Sequence, residues 1–293
     1  MSWNDDRRLY TVVPMHGEQA LPRAPSSGAA CPASAGQSVP APSAGPVSVF
    51  IAVPCYGQIE PGFVASLLDL QAALLRLGVR HEVYFLPGES HINRARNRLV
   101  QAFRKTDFSA LLFLDADLIF TPTAVLRLLT SRHDVVAAPY AKKGEEQGLV
   151  GNVAPREGTE RQTEDGRITG QVEDDGDGFV KARDVGTGCL LIHRSVFVQL
   201  ADAKRDDGEH AMCAYTDDMG TGEQVLPFFD SGPEDGRDPK ARYLTEDFWF
   251  CRLWQTLCGG AVWLDSRSTI QHVGRHAFTA PSLTRKWAKE AAR

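Results

Sequence analysis

Leu111-Leu112-Phe113-Leu114-Asp115-Ala116-Asp117-Leu118-Ile119-Phe120 is the stretch that decides how this chain is read. Four apolar residues run into two carboxylates, and apolar residues resume behind them. A short continuous apolar run suits a strand buried on both faces of a mostly parallel sheet. Carboxylates within such a strand are costly to bury. The pair therefore belongs at the strand's carboxyl end, where open α/β sheets bind ligands. In extended chain Asp115 and Asp117 point the same way, with Ala116 pointing away. Converging carboxylates repel unless a cation lies between them. Oxygen ligands suit a hard divalent ion that also carries phosphate oxygens. Taken alone, a strand ending in a solvated Asp-x-Asp turn is common, so the neighbours decide.

Upstream, Val47 to Pro54 is a β-branched run closed by Pro54-Cys55-Tyr56-Gly57 and predicts a strand and turn. Phe63, Val64, Leu67, Leu68, Leu74 and Leu75 recur at helical spacing, and Gly78 supplies a stop. Val79 to Leu86 reads as a strand, and His91 to Lys105 as a helix with Ile92, Ala95, Leu99 and Phe103 on its apolar face. Asn93, Arg94, Asn97 and Arg98 fall mostly off that face. Downstream, Thr121-Pro122 starts a helix, and Asp134 to Pro139 is a further strand. Strands alternating with helices in this way predict a doubly wound α/β unit.

The remainder is less regular. Tyr140 to Lys181 is acidic and glycine-rich and reads as loops or an exposed hairpin. Glu173-Asp174-Asp175-Gly176-Asp177 lacks the closing Glu of a calcium loop and reads as a solvated turn. Cys189 to Ile192 is a buried strand, with a short helix from Ser195. Residues 202–242 are polar and irregular, long enough to imply function or mobility. Thr245 caps a helix to Cys258, with Phe248, Cys251, Leu253 and Trp254 as its apolar residues. Two closing strands, 262–264 and 269–273, follow, and a basic helix is expected from Ser282. Residues 1–46, rich in Pro, Ala, Ser and Gly, cannot form a core and read as a disordered tail. The predicted domains are thus this tail and one unit over 47–293.

With 293 residues, 43% apolar and 24% charged, the composition is that of an ordinary globular protein. A formal charge of -5 gives no footprint for unspecific nucleic-acid binding. The six cysteines show no Cys-x-x-Cys spacing, and those at 55, 189, 251 and 258 read as buried free thiols. No apolar run approaches a membrane span, and the N-terminus lacks a signal-peptide core, so a cytoplasmic protein is expected.

Three further features bear on chemistry. Gly186-Thr187-Gly188 leads into a buried strand, either as a bulge or to let backbone approach a ligand. Thr245-Glu246-Asp247 opens a helix, where acids serve the helix dipole or, facing a cleft, a general base. His272 alternates with Ile270 in a strand, and is either structural or the group that completes a metal site.

The ordered set Asp115-Ala116-Asp117, Gly186-Thr187-Gly188, Thr245-Glu246-Asp247 and His272 resembles the common core of GT-A fold glycosyltransferases. Ala95-Arg96-Asn97-Arg98-Leu99-Val100, with the Asp115 strand, Asp134-Val135-Val136 and Pro139-Tyr140, is similar to a family-2-like group of bacteria and large DNA viruses. The resemblance spans about Val47 to Phe278. It implies a GT-A, Rossmann-like α/β fold with a mostly parallel sheet, a nucleotide-binding half over 47–140 and an acceptor-side half over 141–293. It also implies a nucleotide-diphosphate sugar as donor, a UDP-sugar first among them. The cofactor would be Mn²⁺ or Mg²⁺ on Asp117, Asp115 and His272, with imidazole favouring Mn²⁺. Pro54, Cys55 and Tyr56 would line the nucleobase pocket. Arg94 or Arg96 and Asn97 would face base, ribose or phosphate, as would Asp115. Ala116, Gly186, Thr187 and Gly188 would complete the donor site. Asp247 would be the base and Glu246 would orient a hydroxyl acceptor, which a glycan, lipid, protein or modified nucleobase could supply. A sugar-nucleotide pyrophosphorylase would want a basic phosphate loop after the first strand, which Pro54-Cys55-Tyr56-Gly57-Gln58 does not supply. A non-catalytic binding module would not need the whole acidic set.

Overall fold

The computed structural model describes residues 47–141, 143, 151–153, 161–162, 168–169, 172–205, 208–217, 222–234, 241–274 and 277–279. The predicted N-terminal tail, most of the acidic stretch before 172 and the helix expected from Ser282 lie outside the described residues. The fold is α/β, built on a mostly parallel central sheet. In chain order the elements that frame it are β1 (Val49–Cys55), α1 (Pro61–Arg76), β2 (His81–Pro87), α2 (Ile92–Arg104), β3 (Ala110–Leu114), β4 (Leu118–Ile119), α3 (Pro122–Thr130), β5 (Val135–Ala137), β6 (Gly151–Val153), β7 (Phe179–Val185), β8 (Cys189–His193), α4 (Arg194–Asp202), α5 (Glu246–Cys258), β9 (Val262–Asp265), β10 (Gln271–Val273) and β11 (Ala277–Thr279).

The central sheet has eight strands in the order β2-β1-β3-β8-β5-β9-β7-β6. Only β8 and β7 run against the rest, each pairing antiparallel with both of its neighbours. Side chains alternate across the sheet. Phe50, Leu111, Phe113, Leu190 and Ile192 face a core shared with α2, α4 and α5. Val49, Ile51, Leu112, Leu114 and Leu191 face a second core shared with α1 and α3. β3 is buried along its whole length, as its apolar run requires. Beside its carboxyl end, β4, β10 and β11 form a small antiparallel sheet that carries His272 to the Asp-Ala-Asp turn. Among the described residues no helix is long and apolar enough to cross a membrane.

Several expectations change. The inward stripe of α1 is Phe63, Leu67, Leu70 and Leu74, while Val64, Leu68 and Leu75 are exposed. The chain had too many apolar residues there for spacing to choose among them. The first three residues of β7, Phe179 to Lys181, fall inside the acidic, glycine-rich stretch expected to form loops or a hairpin, and are strand. Asp184 is fully buried but ion-paired with Arg183 and Arg242. Cys189 and Cys251 are buried, whereas Cys55 and Cys258 are only partly so. The Glu173–Asp177 stretch is a turn, as read: Asp174 accepts from the Gly176 N–H at 2.7 Å and Asp175 from the Asp177 N–H at 2.8 Å.

The irregular stretch 222–234 is fastened to the core. Phe229 packs edge-on to Phe113 at 5.3 Å and stacks on Phe250 at 4.8 Å. Asn97 of α2, buried instead of lying off the apolar face, donates to the Phe229 carbonyl and accepts from its N–H, both at 2.8 Å. Removing both side-chain partners leaves a buried donor and acceptor unmet. Asn97→Ala is therefore expected to cost about 2 kcal/mol or more of stability in chemical denaturation. A loss below about 0.5 kcal/mol would show that this stretch is held by its phenylalanines alone.

Candidate active site

β3 ends before the first aspartate, so Asp115 to Asp117 form a turn and not extended strand. The Asp115 N–H donates to the Gly188 carbonyl at 2.8 Å, and the Leu118 N–H reaches back to the Asp115 carbonyl at 3.2 Å. The Glu60 N–H binds the Ala116 carbonyl at 2.9 Å and the Val273 N–H the Asp117 carbonyl at 2.9 Å. The turn is thus tied to the β1–α1 loop, to the glycine turn before β8 and to β10.

A cavity of about 750 Å³ opens over this turn, within the range of small-ligand clefts. Its wall holds Pro54, Cys55, Tyr56, Gly57, Gln58, Ile92, Arg96, Asp115, Ala116, Asp117, Tyr140, Thr187, Glu246 and Asp247. Ten of these were singled out from sequence: Pro54, Cys55, Tyr56, Arg96, the three of the turn, Thr187, Glu246 and Asp247. Arg94, Asn97, Gly186, Gly188 and His272 are not part of this wall. Arg94 is engaged by Glu89 at 2.7 Å, and Asn97 by Phe229. Gly188 acts from behind. A Cβ there would meet the Tyr140 ring at 2.7 Å, so only glycine lets Tyr140 approach, and its N–H donates to the Tyr140 hydroxyl at 3.1 Å.

Arg96 is the hub of the wall. Its guanidinium, almost fully buried, lies 3.3 Å from Asp115 Oδ1 and 3.2 Å from Glu246 Oε1, with the Phe113 ring 5.3 Å from its centre. Burial opposes its charge, but Asp115 and Glu246 outweigh this and hold its pKa above the ordinary value. Burial also pushes the Asp115 carboxyl up, against the pull of Arg96. Asp247 makes no such pair. It accepts from the Thr245 hydroxyl and, at 2.8 Å, from the Phe248 N–H. Burial and the neighbouring Glu246 raise its pKa.

Asp117 and His272 form a second centre. The His272 Nδ1 lies 2.8 Å from the Ala141 carbonyl, which can only accept, so Nδ1 carries the proton. Nε2 then faces Asp117 Oδ1 at 3.4 Å. That oxygen is shielded from solvent and has no hydrogen-bond donor among the described residues. The other, Oδ2, pairs with Lys143. Burial opposes ionisation of Asp117, yet His272 and Lys143 prevail and lower its pKa. Among the described residues no three His, Cys, Asp or Glu side chains converge as a metal-binding group. Of the expected trio, Asp117 and His272 meet, and Asp115 is held by Arg96.

Sequence reasoning gave no role to Tyr140 or Lys143. Tyr140 stands just past the carboxyl end of β5, the same position in the fold that singled out Asp115. Lys143 lies in an acidic stretch without periodicity, and nothing local marked it.

No protein-family model matches the chain, and no curated protein matches it. Solved structures similar to it include A197 from STIV (14% identity, 78% of this chain and 86% of that one, TM-score 0.43). Another is GalNAc-T7 with UDP, GalNAc and Mn²⁺ (10% identity, 80% of this chain and 45% of that one, TM-score 0.41). A third is a glycosyltransferase involved in glycosylation of the major capsid of PBCV-1 (12% identity, 52% of this chain and 62% of that one, TM-score 0.29). The chain thus spans less than two thirds of the last two.

Breaking a buried pair strands the remaining charge. Arg96→Met leaves Asp115 and Glu246 facing each other without a cation and is expected to cost about 3 kcal/mol or more in denaturant titration. Adding Glu246→Gln to Arg96→Met should recover part of that loss. If the double variant is no more stable than the single one, Arg96 is not the strut between the two carboxylates.

Proposed function

We propose that this chain is a metal-dependent glycosyltransferase moving a sugar from a nucleotide-diphosphate sugar, a UDP-sugar first, to an acceptor hydroxyl with inversion. The observation that carries this is the cavity wall, where four carboxylates and one guanidinium line a cleft of small-ligand size. A polyanionic donor is repelled by such a wall unless a cation enters with it.

The donor set fits a divalent ion. Asp117 Oδ1 is shielded from solvent, and His272 Nε2 faces it at 3.4 Å. A carboxylate oxygen and an imidazole nitrogen at that range share either a proton or a cation. Asp117 and His272 would hold the ion, with Asp115 acting through water or on the ribose. When bound, the ion supplies positive charge to the departing diphosphate. Residues 47–140 would form the nucleotide-binding half and 141–293 the acceptor-side half. Pro54, Cys55 and the exposed Tyr56 would flank the base. The Thr187 hydroxyl is buried in the wall with no hydrogen-bond partner among the described residues, which supports a role as a donor-site contact.

Asp247 would be the base. It is the cavity carboxylate free of both Arg96 and the Asp117–His272 centre, and a raised pKa suits proton abstraction near neutral pH. It takes the acceptor hydroxyl proton as the acceptor oxygen bonds to the anomeric carbon, and the bond to the nucleoside diphosphate breaks on the opposite side. Glu246, fixed by Arg96, would orient the acceptor.

A screen of nucleotide sugars for hydrolysis, with and without chelator, identifies the donor. Donor breakdown indifferent to both chelator and Asp117→Asn would contradict the metal reading. Asp247→Asn keeps the shape of the side chain and removes its basicity. It should leave donor affinity near wild type and lower transfer about 100-fold or more. The acid limb of the wild-type rate should fall above the ordinary aspartate range, because Asp247 must be ionised to act and its pKa is raised. An acid limb at or below that range would move the base elsewhere.

A further inference from the structure

Among the described residues Lys143 is the second basic side chain at this site, and its partner is the carboxylate that a metal would need. Its ammonium pairs with Asp117 Oδ2, while Oδ1 of the same carboxylate faces His272. One short piece of chain holds both partners. The Ala141 carbonyl fixes the His272 ring at 2.8 Å, and Lys143 follows two residues later. Tyr140, at the start of this piece, bridges to Ile270 and lies edge-on to His272 at 5.2 Å. The backbone at Tyr140 and Ala141 is therefore anchored, and the Lys143 side chain is 42% exposed and carries its charge on a flexible stem.

We propose that Lys143 is the resident countercation of Asp117 in the metal-free protein and passes to the diphosphate of the nucleotide when a divalent ion binds. This rests on the metal-dependent donor reading above. The argument is electrostatic. An ammonium and a divalent ion repel each other on one carboxylate. Once Asp117 is taken by the ion, Lys143 loses that anion, and among the described residues the remaining cavity carboxylates are Asp115 and Glu246, both on Arg96, and Asp247. A nucleoside diphosphate carries more negative charge than one divalent ion neutralises, and lysine is an apt point-charge partner for phosphate. Lys143 would thereby oppose metal binding in the empty site and favour the nucleotide in the loaded one.

The test compares wild type with Lys143→Gln in two binding measurements, with circular dichroism as the check of folding. Mn²⁺ affinity is read from the electron paramagnetic resonance signal of free Mn²⁺, without nucleotide. Calorimetry at saturating Mn²⁺ then finds which common nucleoside diphosphate binds tightest and compares it with its monophosphate. Lys143→Gln should bind Mn²⁺ about 5-fold tighter, because the ion no longer competes with an ammonium. Its affinity for the diphosphate should fall about 10-fold and for the monophosphate less than about 2-fold. Lys143→Arg should retain the preference for the diphosphate. Unchanged Mn²⁺ affinity overturns the countercation role. Equal losses for mono- and diphosphate, or no loss, overturn the transfer. A wild-type protein that binds neither Mn²⁺ nor any nucleoside diphosphate instead removes the donor-site reading, and this proposal with it.

Discussion

Four carboxylates meet in one cavity, and their mutual repulsion is the constraint on which the arrangement depends. Arg96 answers half of it. From α2 it reaches Asp115 at the end of β3 and Glu246 at the start of α5, so one guanidinium joins three elements that the chain brings together from distant positions. Arg96 keeps its charge, and the two carboxylates offset the cost of burying it. Asp117 and Asp247 lie outside that pairing. One faces an imidazole and a lysine. The other rests on a hydroxyl and a backbone N–H, and burial raises its pKa above the ordinary value.

The sheet explains why these groups coincide. β1, β3 and β5 run in parallel, so their carboxyl ends, carrying Pro54-Cys55-Tyr56, Asp115 and Tyr140, open on one side. β8 runs the other way between β3 and β5, which brings its leading turn, Gly186 to Gly188, to the same edge. There Gly188 receives the Asp115 N–H through its carbonyl and gives its own N–H to Tyr140. The antiparallel strand thus clamps the aspartate turn to the ring that packs on His272.

The strand–helix alternation before Pro139 was legible in the sequence because apolar runs and periodic helices carry it. Most of the cavity wall was legible too, not from the Asp-Ala-Asp turn alone but from the ordered set of acidic and glycine motifs and the resemblance they carry. Asn97 was misjudged and Asp184 not noticed for a shared reason. Both are polar residues buried through partners remote in sequence, Phe229 for Asn97 and Arg242 for Asp184. Periodicity reports which face is apolar, not which polar group finds a partner. The difference between Arg94 and Arg96 was likewise closed to sequence. Two residues apart on one helix they point differently, one to Glu89 and one into the cavity.

The central claim is that Asp117 and His272 hold a divalent ion against which a diphosphate is placed. Pulsed electron paramagnetic resonance of Mn²⁺ added to the protein with the nucleoside diphosphate it prefers tests this directly. The account predicts a nitrogen coupling from one imidazole, lost in His272→Gln, and a phosphorus coupling that appears only with nucleotide. Bound Mn²⁺ that shows neither coupling, or nucleotide binding that is indifferent to removal of the metal, would contradict it.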